Sequence, residues 1–330
     1  MTREPFARPS TRRAEPLGLL IGTDDGLLQV TPGAPPERGI DGARITSVDA
    51  RAGLAVAAGP DGVWLHGASG GPARWRQVWQ GDAHLAQIEG ETIYIGTADG
   101  RILLSEDEGL VWNPLYGTRE LWGHAHAYPV TGVAEVRTPA RSGVPSAGGI
   151  VVAFNGGGAW FTPNLGGTWL ARSGAGGEGL APHVHRLYRH PDLPDRLCAT
   201  TDHGLYRSTD EGHTWLQSIK DLDRSWGGSL AVLPGPTDTL VLSLAKSATG
   251  AGALFRTVNA GLTWSRILLG APGREEDEWE RAPAVVRPQE WEDVTFVAAG
   301  TALYASHDRA RTWTPLAEGL PLPNCLAASL

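Results

Sequence analysis

"STDEGHTW", residues 208–215, sets an alcohol, a carboxylate, a glycine, a second hydroxyl and a tryptophan within eight consecutive positions. Such a density of functional groups could belong to an active site. The same spacing recurs, however, as "SEDEGLVW" from Ser105, "TPNLGGTW" from Thr162, "TVNAGLTW" from Thr257 and "SHDRARTW" from Ser306. A constellation present in five copies of the pattern S/T-x-D/N-x-G-x-T-W is not one catalytic centre, and its role is read as structural. Asp or Asn at the third place is expected to accept hydrogen bonds from backbone N–H groups two residues on. Glycine at the fifth supplies positive φ, and tryptophan at the eighth fills space between adjacent sheets. Ala310 holds the glycine place in the last copy, which predicts a strained or altered turn there.

Short apolar or aromatic triplets precede the boxes, as in "LYR" (205–207), "LFR" (254–256) and "LYA" (303–305), each after a Gly-rich turn and an apolar strand. "LLIGTDDGLLQVT", ending at Thr31, and "LAVAAGPDGVWLH", ending at His66, repeat the strand-turn-strand half, with their boxes decayed. The copies therefore fall at 31, 66, 105, 162, 208, 257 and 306, a spacing fit for four strands each. With 44 glycines, 13 tryptophans and only 19% charged residues, tight turns and short strands are favoured over helices. The expected fold is all-β: a seven-bladed β-propeller of four-stranded antiparallel blades, the arrangement that leaves only short, protected edges. A linear solenoid is the runner-up. Against it, the repeats begin at a second strand, "LGLLIG", while "NCLAASL" at the end has the pattern of a first, innermost one. The C-terminal strand is thus expected to join the N-terminal blade and close the ring. Residues 1–16 read as a disordered tail and 17–330 as a single propeller.

The box resembles the Asp-box, or bacterial neuraminidase (BNR) repeat, over most of the chain from Leu17 to Trp313. That resemblance implies a propeller of the kind found in sialidases, xyloglucan-degrading glycosidases, sortilin-type receptors and the photosystem II stability factor, within the wider sialidase-like and WD40/YVTN/BNR-like propellers. Because those families do unrelated things, it implies a fold and no single function. Sialidases carry an arginine triad, a Tyr/Glu nucleophile pair and an N-terminal Phe/Tyr-Arg-Ile-Pro signature on six blades. Here Arg44, Arg224 and Arg281 fall in or beside suitable loops, but "ARIT" (43–46) is the nearest echo of the signature. Sialidase activity is not expected.

A net charge of −8 without a long basic run gives no electrostatic footprint for nucleic acid or anionic lipid, and neither partner is expected. No stretch approaches the roughly 20 apolar residues of a membrane span, and no secretory segment is seen, so a cytoplasmic location is expected. Cys198 and Cys325 have neither metal-binding nor disulfide-framework spacing and read as two buried thiols.

In such a propeller the loops entering each blade share a face with the turn between its second and third strands, and the boxes lie on the other. Function is therefore sought away from the boxes. The longer loops into blades four to seven suggest a one-sided surface, on which the ligand-binding candidates are Trp122, His124, His126, His183, His185, His203, Asp223, Arg224, Trp226 and Arg281. The pairs His124/His126 and His183/His185 alternate as on a strand, which would project both rings to one side and could hold a divalent metal. Solvated or hydrogen-bonding loop histidines are the default, and no cofactor is expected. The leading function is a ligand- or protein-binding, assembly propeller, its partner a small ligand, a glycan or a protein. The alternative is a glycoside hydrolase acting on an oligo- or polysaccharide, with tryptophans such as Trp226 and Trp279 stacking on sugars. Two carboxylates would then be drawn from Asp25, Asp61, Asp99, Asp202, Asp223 and the run 275–278. Aspartate before glycine is, however, ordinary turn chemistry.

Overall fold

The computed structural model describes residues 18–51, 53–67, 74–118, 121, 127–137, 148–173, 179–270, 277–289 and 291–329. The tail 1–16, and with it Leu17, lies outside the described residues, as do Trp122, His124, His126, Glu275 and Glu276.

Apolar runs punctuated by Gly and Asp turns become the inner strands of each blade, and shorter, more polar segments become most of the outermost ones. Blade one holds β1 (Gly18–Thr23), β2 (Gly26–Val30) and β3 (Glu37–Asp41). Blade two holds β4 (Ser47–Arg51), β5 (Leu54–Gly59), β6 (Gly62–His66) and β7 (Arg76–Trp79). Blade three holds β8 (Ala83–Glu89), β9 (Thr92–Thr97), β10 (Ile102–Ser105) and β11 (Asn113–Leu115). Blade four holds β12 (Val130–Arg137), β13 (Gly148–Phe154), β14 (Gly158–Thr162) and β15 (Leu170–Ala171). Blade five holds β16 (Val184–Arg189), β17 (Leu197–Thr201), β18 (Gly204–Ser208) and β19 (Leu216–Ser218). Blade six holds β20 (Trp226–Leu233), β21 (Thr239–Ala245), β22 (Gly252–Thr257) and β23 (Ser265–Ile267). Blade seven holds β24 (Ala284–Val286), β25 (Thr295–Ala299), β26 (Ala302–Ser306) and β27 (Thr314–Ala317). Finally β28 (Cys325–Ser329) returns to blade one and pairs antiparallel with β1, Leu20 opposite Ala327 and Gly22 opposite Cys325. Among the described residues the result is seven four-stranded antiparallel sheets, a seven-bladed β-propeller.

Innermost strands β28, β4, β8, β12, β16, β20 and β24 each touch the innermost strands on both sides, so the ring is closed. No blade has a core of its own. The buried apolar residues form seven clusters, each drawn mainly from two adjacent blades. Leu19 and Ile21 of blade one, for instance, pack with Phe296 and Leu303 of blade seven.

An innermost strand is a free edge toward the axis, and its unpaired backbone groups need partners. From blade two round to blade seven, side chains of one inner strand supply them to the next. Ser47 Oγ meets Ala86 N at 3.3 Å, and Asp49 Oδ2 accepts from Ile88 N at 2.8 Å. Gln87 Nε2 donates to Val133 O at 2.6 Å, and Thr131 Oγ1 to Val184 O at 2.8 Å. Leu230 N donates to Tyr188 Oη at 3.1 Å and Val285 N to Ser229 Oγ at 2.8 Å.

The boxes connect third to fourth strands and behave as turns. In the opening stretch Ser208 Oγ accepts from Gly212 N at 2.8 Å and donates to Asp210 Oδ1 at 2.8 Å. Asp210 in turn accepts from Thr214 N at 2.9 Å, four residues on. The donating N–H groups thus lie further along than the expected two residues: Asp107 accepts from Leu110 N and Val111 N, at 3.1 and 2.9 Å. Two successive residues take positive φ, as at Glu211 (59°) and Gly212 (83°). Ala310 does not alter its turn: it adopts φ of 59°, donates to Ser306 Oγ at 2.9 Å, and Asp308 still accepts from Thr312 N at 2.9 Å. Box tryptophans do more than fill space. Trp112, Trp169 and Trp215 donate to Val78 O, Tyr116 O and Arg172 O of the preceding blade at 3.2, 2.9 and 2.6 Å.

Candidate functional site

Inner strands run from the loop face toward the box face, so their early residues ring one mouth of the axis and their late residues the other. A cavity of about 490 Å³ follows the axis and is lined by inner-strand and loop residues of all seven blades. Near the box end, Glu89 is buried between Arg189 Nη2 at 2.8 Å and Arg51 Nη2 at 3.4 Å. Gln87 Nε2 adds a bond to Glu89 at 2.9 Å. These pairs tie blades two, three and five together along the cavity wall. Burial pushes the neighbouring Asp49 carboxyl up, against the pull of Arg51.

Toward the loop face a second polar layer surrounds the mouth. Arg186 of β16 donates from Nη2 to Thr46 O at 3.3 Å, reaching from blade five across to blade two. Arg281, in the loop entering blade seven, donates to Asn324 Oδ1 at 2.6 Å. Asn324 Nδ2 then donates to Ile45 O at 3.1 Å and Asp24 Oδ1 at 2.9 Å. Asp24 also pairs with Arg44 at 3.1 Å and Arg281 at 3.7 Å. The Asn324 amide, with the Arg281 and Arg44 charges, holds the Asp24 carboxyl below the usual range. Both Arg186 and Arg281 thus end beside the Ile45–Thr46 segment. Trp226, at the start of β20, lines the same mouth and packs on the His185 ring, centroids 4.5 Å apart.

The other sequence candidates are placed as follows. His185 Nδ1 donates to Gly227 O at 2.8 Å, and burial pushes its imidazole down, favouring the neutral ring. His183 is exposed and bonds Asn155 Oδ1 at 3.2 Å. One ring thus engages blade six and the other blade four, with a bulge in the β16–β17 register between them, so the two imidazoles do not share a side. His203 bonds Asp202 at 2.8 Å on an exposed turn. Among the described residues no three His, Cys, Asp or Glu side chains converge as a metal site. Arg224 has a side chain only 1% exposed and donates to Asp223 at 2.7 and 2.8 Å, to Glu278 at 2.9 Å and to Ala251 O at 3.1 Å. It fastens the loop entering blade six to the loop entering blade seven, and its side chain is buried in that clasp. Trp279 is 2% exposed and exchanges backbone hydrogen bonds with Gly252, so it is core and not a sugar platform. Cys325 is buried and Cys198 half-buried, and burial pushes both thiols up to about 12.

Arg186 and Asn324 escaped notice in the sequence. For Arg186 the signal was available: a charged residue in an inner strand, as in "VHRLYRH" (184–190), is costly without a specific purpose.

The chain matches no protein-family model and no curated protein. Its fold resembles a GH74 xyloglucanase from Xanthomonas campestris, with 16% identity and a TM-score of 0.61 over 92% of this chain and 47% of that one. It also resembles a GH74 enzyme from Niastella koreensis, at 14% identity and TM-score 0.61 over 91% and 47%. The chain therefore spans about half the length of those enzymes. YCF48 bound to a D1 peptide is similar at 18% identity and TM-score 0.54, over 86% of both chains. The WD40 propeller domain of Doa1 aligns at 12% identity and TM-score 0.61, over 90% and 91%. These likenesses establish the propeller fold shared by hydrolases and binding factors alike. No helix among the described residues is long and apolar enough to cross a membrane.

Proposed function

We propose that this chain is a binding or assembly propeller of the Asp-box type, taking its ligand at the axial mouth opposite the boxes, around Trp226, Arg186 and Arg281. One observation carries this reading over hydrolysis. A glycosidase needs two carboxyl groups facing one bond, one held protonated. On the loop face Asp25, Asp99, Asp202, Asp223 and Glu278 each face a basic side chain. Hydrogen bonds from Arg224 hold Asp223 and Glu278 below the usual carboxylate range, the wrong direction for a general acid. Asp61 is exposed on blade two and carries no ion pair among the described residues, but a single carboxylate does not make the pair. That YCF48, a similar propeller, holds a peptide supports the binding class.

The test combines two assays on the full chain: reducing-end release from a panel of oligo- and polysaccharides, and thermal shift against small-molecule, glycan and peptide libraries. A stabilising ligand whose shift disappears in Trp226→Ala, with no glycan cleaved, is expected. Glycan cleavage abolished by Asp61→Asn would overturn the reading in favour of the hydrolase.

A further inference from the structure

Resting on the binding reading, we propose that the axial cavity is an anion site, and that its ligand is a small organic acid whose carboxylate docks on Arg186. The cavity lining carries the guanidinium groups of Arg51, Arg186, Arg189, Arg281 and Arg287 against the carboxylates of Asp49 and Glu89. The lining residues sum to a formal charge of +3, or +2 once Asp24, the partner of Arg281, is counted, inside a chain whose net charge is −8. Folding thus concentrates on the axis a positive potential that the sequence as a whole lacks, and cavity walls of low dielectric focus it.

The partners of these arginines single out one. Arg51 and Arg189 share Glu89, and Arg281 has Asn324 and Asp24. Arg287 donates to Gln289 O at 3.3 Å. Arg186 projects from β16 with a single hydrogen bond among the described residues, at 3.3 Å to Thr46 O, and no carboxylate partner. A guanidinium presents five N–H donors in a planar fork, so most of its capacity there stays open. Leaving a half-buried charge without a counter-charge is unfavourable, and an anion removes that penalty.

Geometry and charge together select the class. The 490 Å³ cavity is of a size that takes small ligands. Ion pairs of Glu89 occupy the arginines at the box end, so the arginine with donors to spare lies on the side of the loop-face mouth, where Trp226 stands. One open planar fork matches one carboxylate in bidentate fashion. A phosphate dianion asks for more donors and more charge than Arg186 alone supplies. The apolar body of the acid would lie against the Trp226 ring.

Calorimetric titration of the full chain tests this, using four- to six-carbon mono- and dicarboxylates, their primary amides, and inorganic phosphate. A carboxylate is expected to bind with a Kd below 1 mM, its amide and phosphate at least tenfold more weakly, about 1.4 kcal/mol each. Arg186→Gln is expected to weaken binding at least tenfold while Arg186→Lys, which keeps the charge but loses the fork, keeps part of it. Arg38→Gln, remote on blade one, should bind as the parent does. Equal affinity in Arg186→Gln, or in Arg186→Lys and the parent if the first variant does not fold, overturns the assignment. So does an absence of carboxylate binding. If a neutral or cationic ligand then binds in a Trp226-dependent way, the anion inference falls and the binding reading stands.

Discussion

At the scale of single residues, the box turns show how much a backbone angle constrains a sequence and how little it reveals. The fifth place takes φ between 76° and 96° in the glycine copies, Gly109, Gly166, Gly212 and Gly261, and 59° at Ala310. Glycine there was legible because only glycine enters that region freely. The fourth place is left-handed too, yet it holds Glu108, Leu165, Glu211, Ala260 and Arg309, five positions with no common signal. In three of them a tertiary bond anchors the residue: Glu211 N donates to Asp195 O at 2.8 Å, Ala260 N to Asp238 O at 3.1 Å and Arg309 N to Asp293 O at 3.0 Å. The space beside each glycine then decides what a methyl would do. At Gly212 a Cβ would sit 3.2 Å from the Trp215 ring, whereas at Gly166 it would meet Tyr116 O at 2.2 Å. Gly212→Ala should therefore lose the left-handed penalty, about 1–2 kcal/mol, with a slight shift of the Trp215 ring to admit the methyl. Gly166→Ala must displace a backbone carbonyl and should lose about 3 kcal/mol or more. Urea unfolding of the two variants distinguishes them, and equal losses would contradict this account of the turns.

At the scale of elements, the inner strands hold the blades to one another and line the axial cavity. Their outward neighbours in each blade are nearly all apolar and were easy to read as strands. Polar residues such as Asp49, Gln87, Thr131 and Ser229 interrupt that pattern because the strand edge facing the axis needs hydrogen-bond partners, a demand set by the ring and invisible in one blade alone. Ser229 shows the cost. Its hydroxyl accepts from Val285 N at 2.8 Å and donates to Pro283 O at 3.1 Å. Ser229→Ala leaves both groups unpaired and should destabilise the protein by about 1–3 kcal/mol, with faster deuterium exchange at Val285. Unchanged exchange there would show that the bond does not hold the blades together. Site residues were legible in part for the same reason. The loop candidates Trp226 and Arg281 line the axial mouth, while Arg224, equally polar in the sequence, is consumed by Asp223 beside it and by Glu278 of the next loop. Sequence alone does not tell an arginine that lines the axial mouth from a loop clasp, because the difference lies in which neighbours the fold brings to it.

At the scale of the whole molecule, the repeat count, the blade size and the closing strand were all present in the spacing of the boxes and in the unmatched strand at each end. Closure matters more than any blade, since each buried cluster is shared between neighbours and none is complete without both. It also creates the axis: the residues of the mouth come from blades one, two, five, six and seven, brought together only when β28 pairs with β1. Every assignment of a loop to a face follows from that pairing. Native-state hydrogen–deuterium exchange of the backbone amides in Cys325–Ser329 tests it most directly. The closed ring requires the β28 amides bonded to β1 to open only in the global unfolding step, together with those of β4 and β8. Exchange of β28 as a frayed end, while the inner strands of blades two and three stay protected, would contradict it.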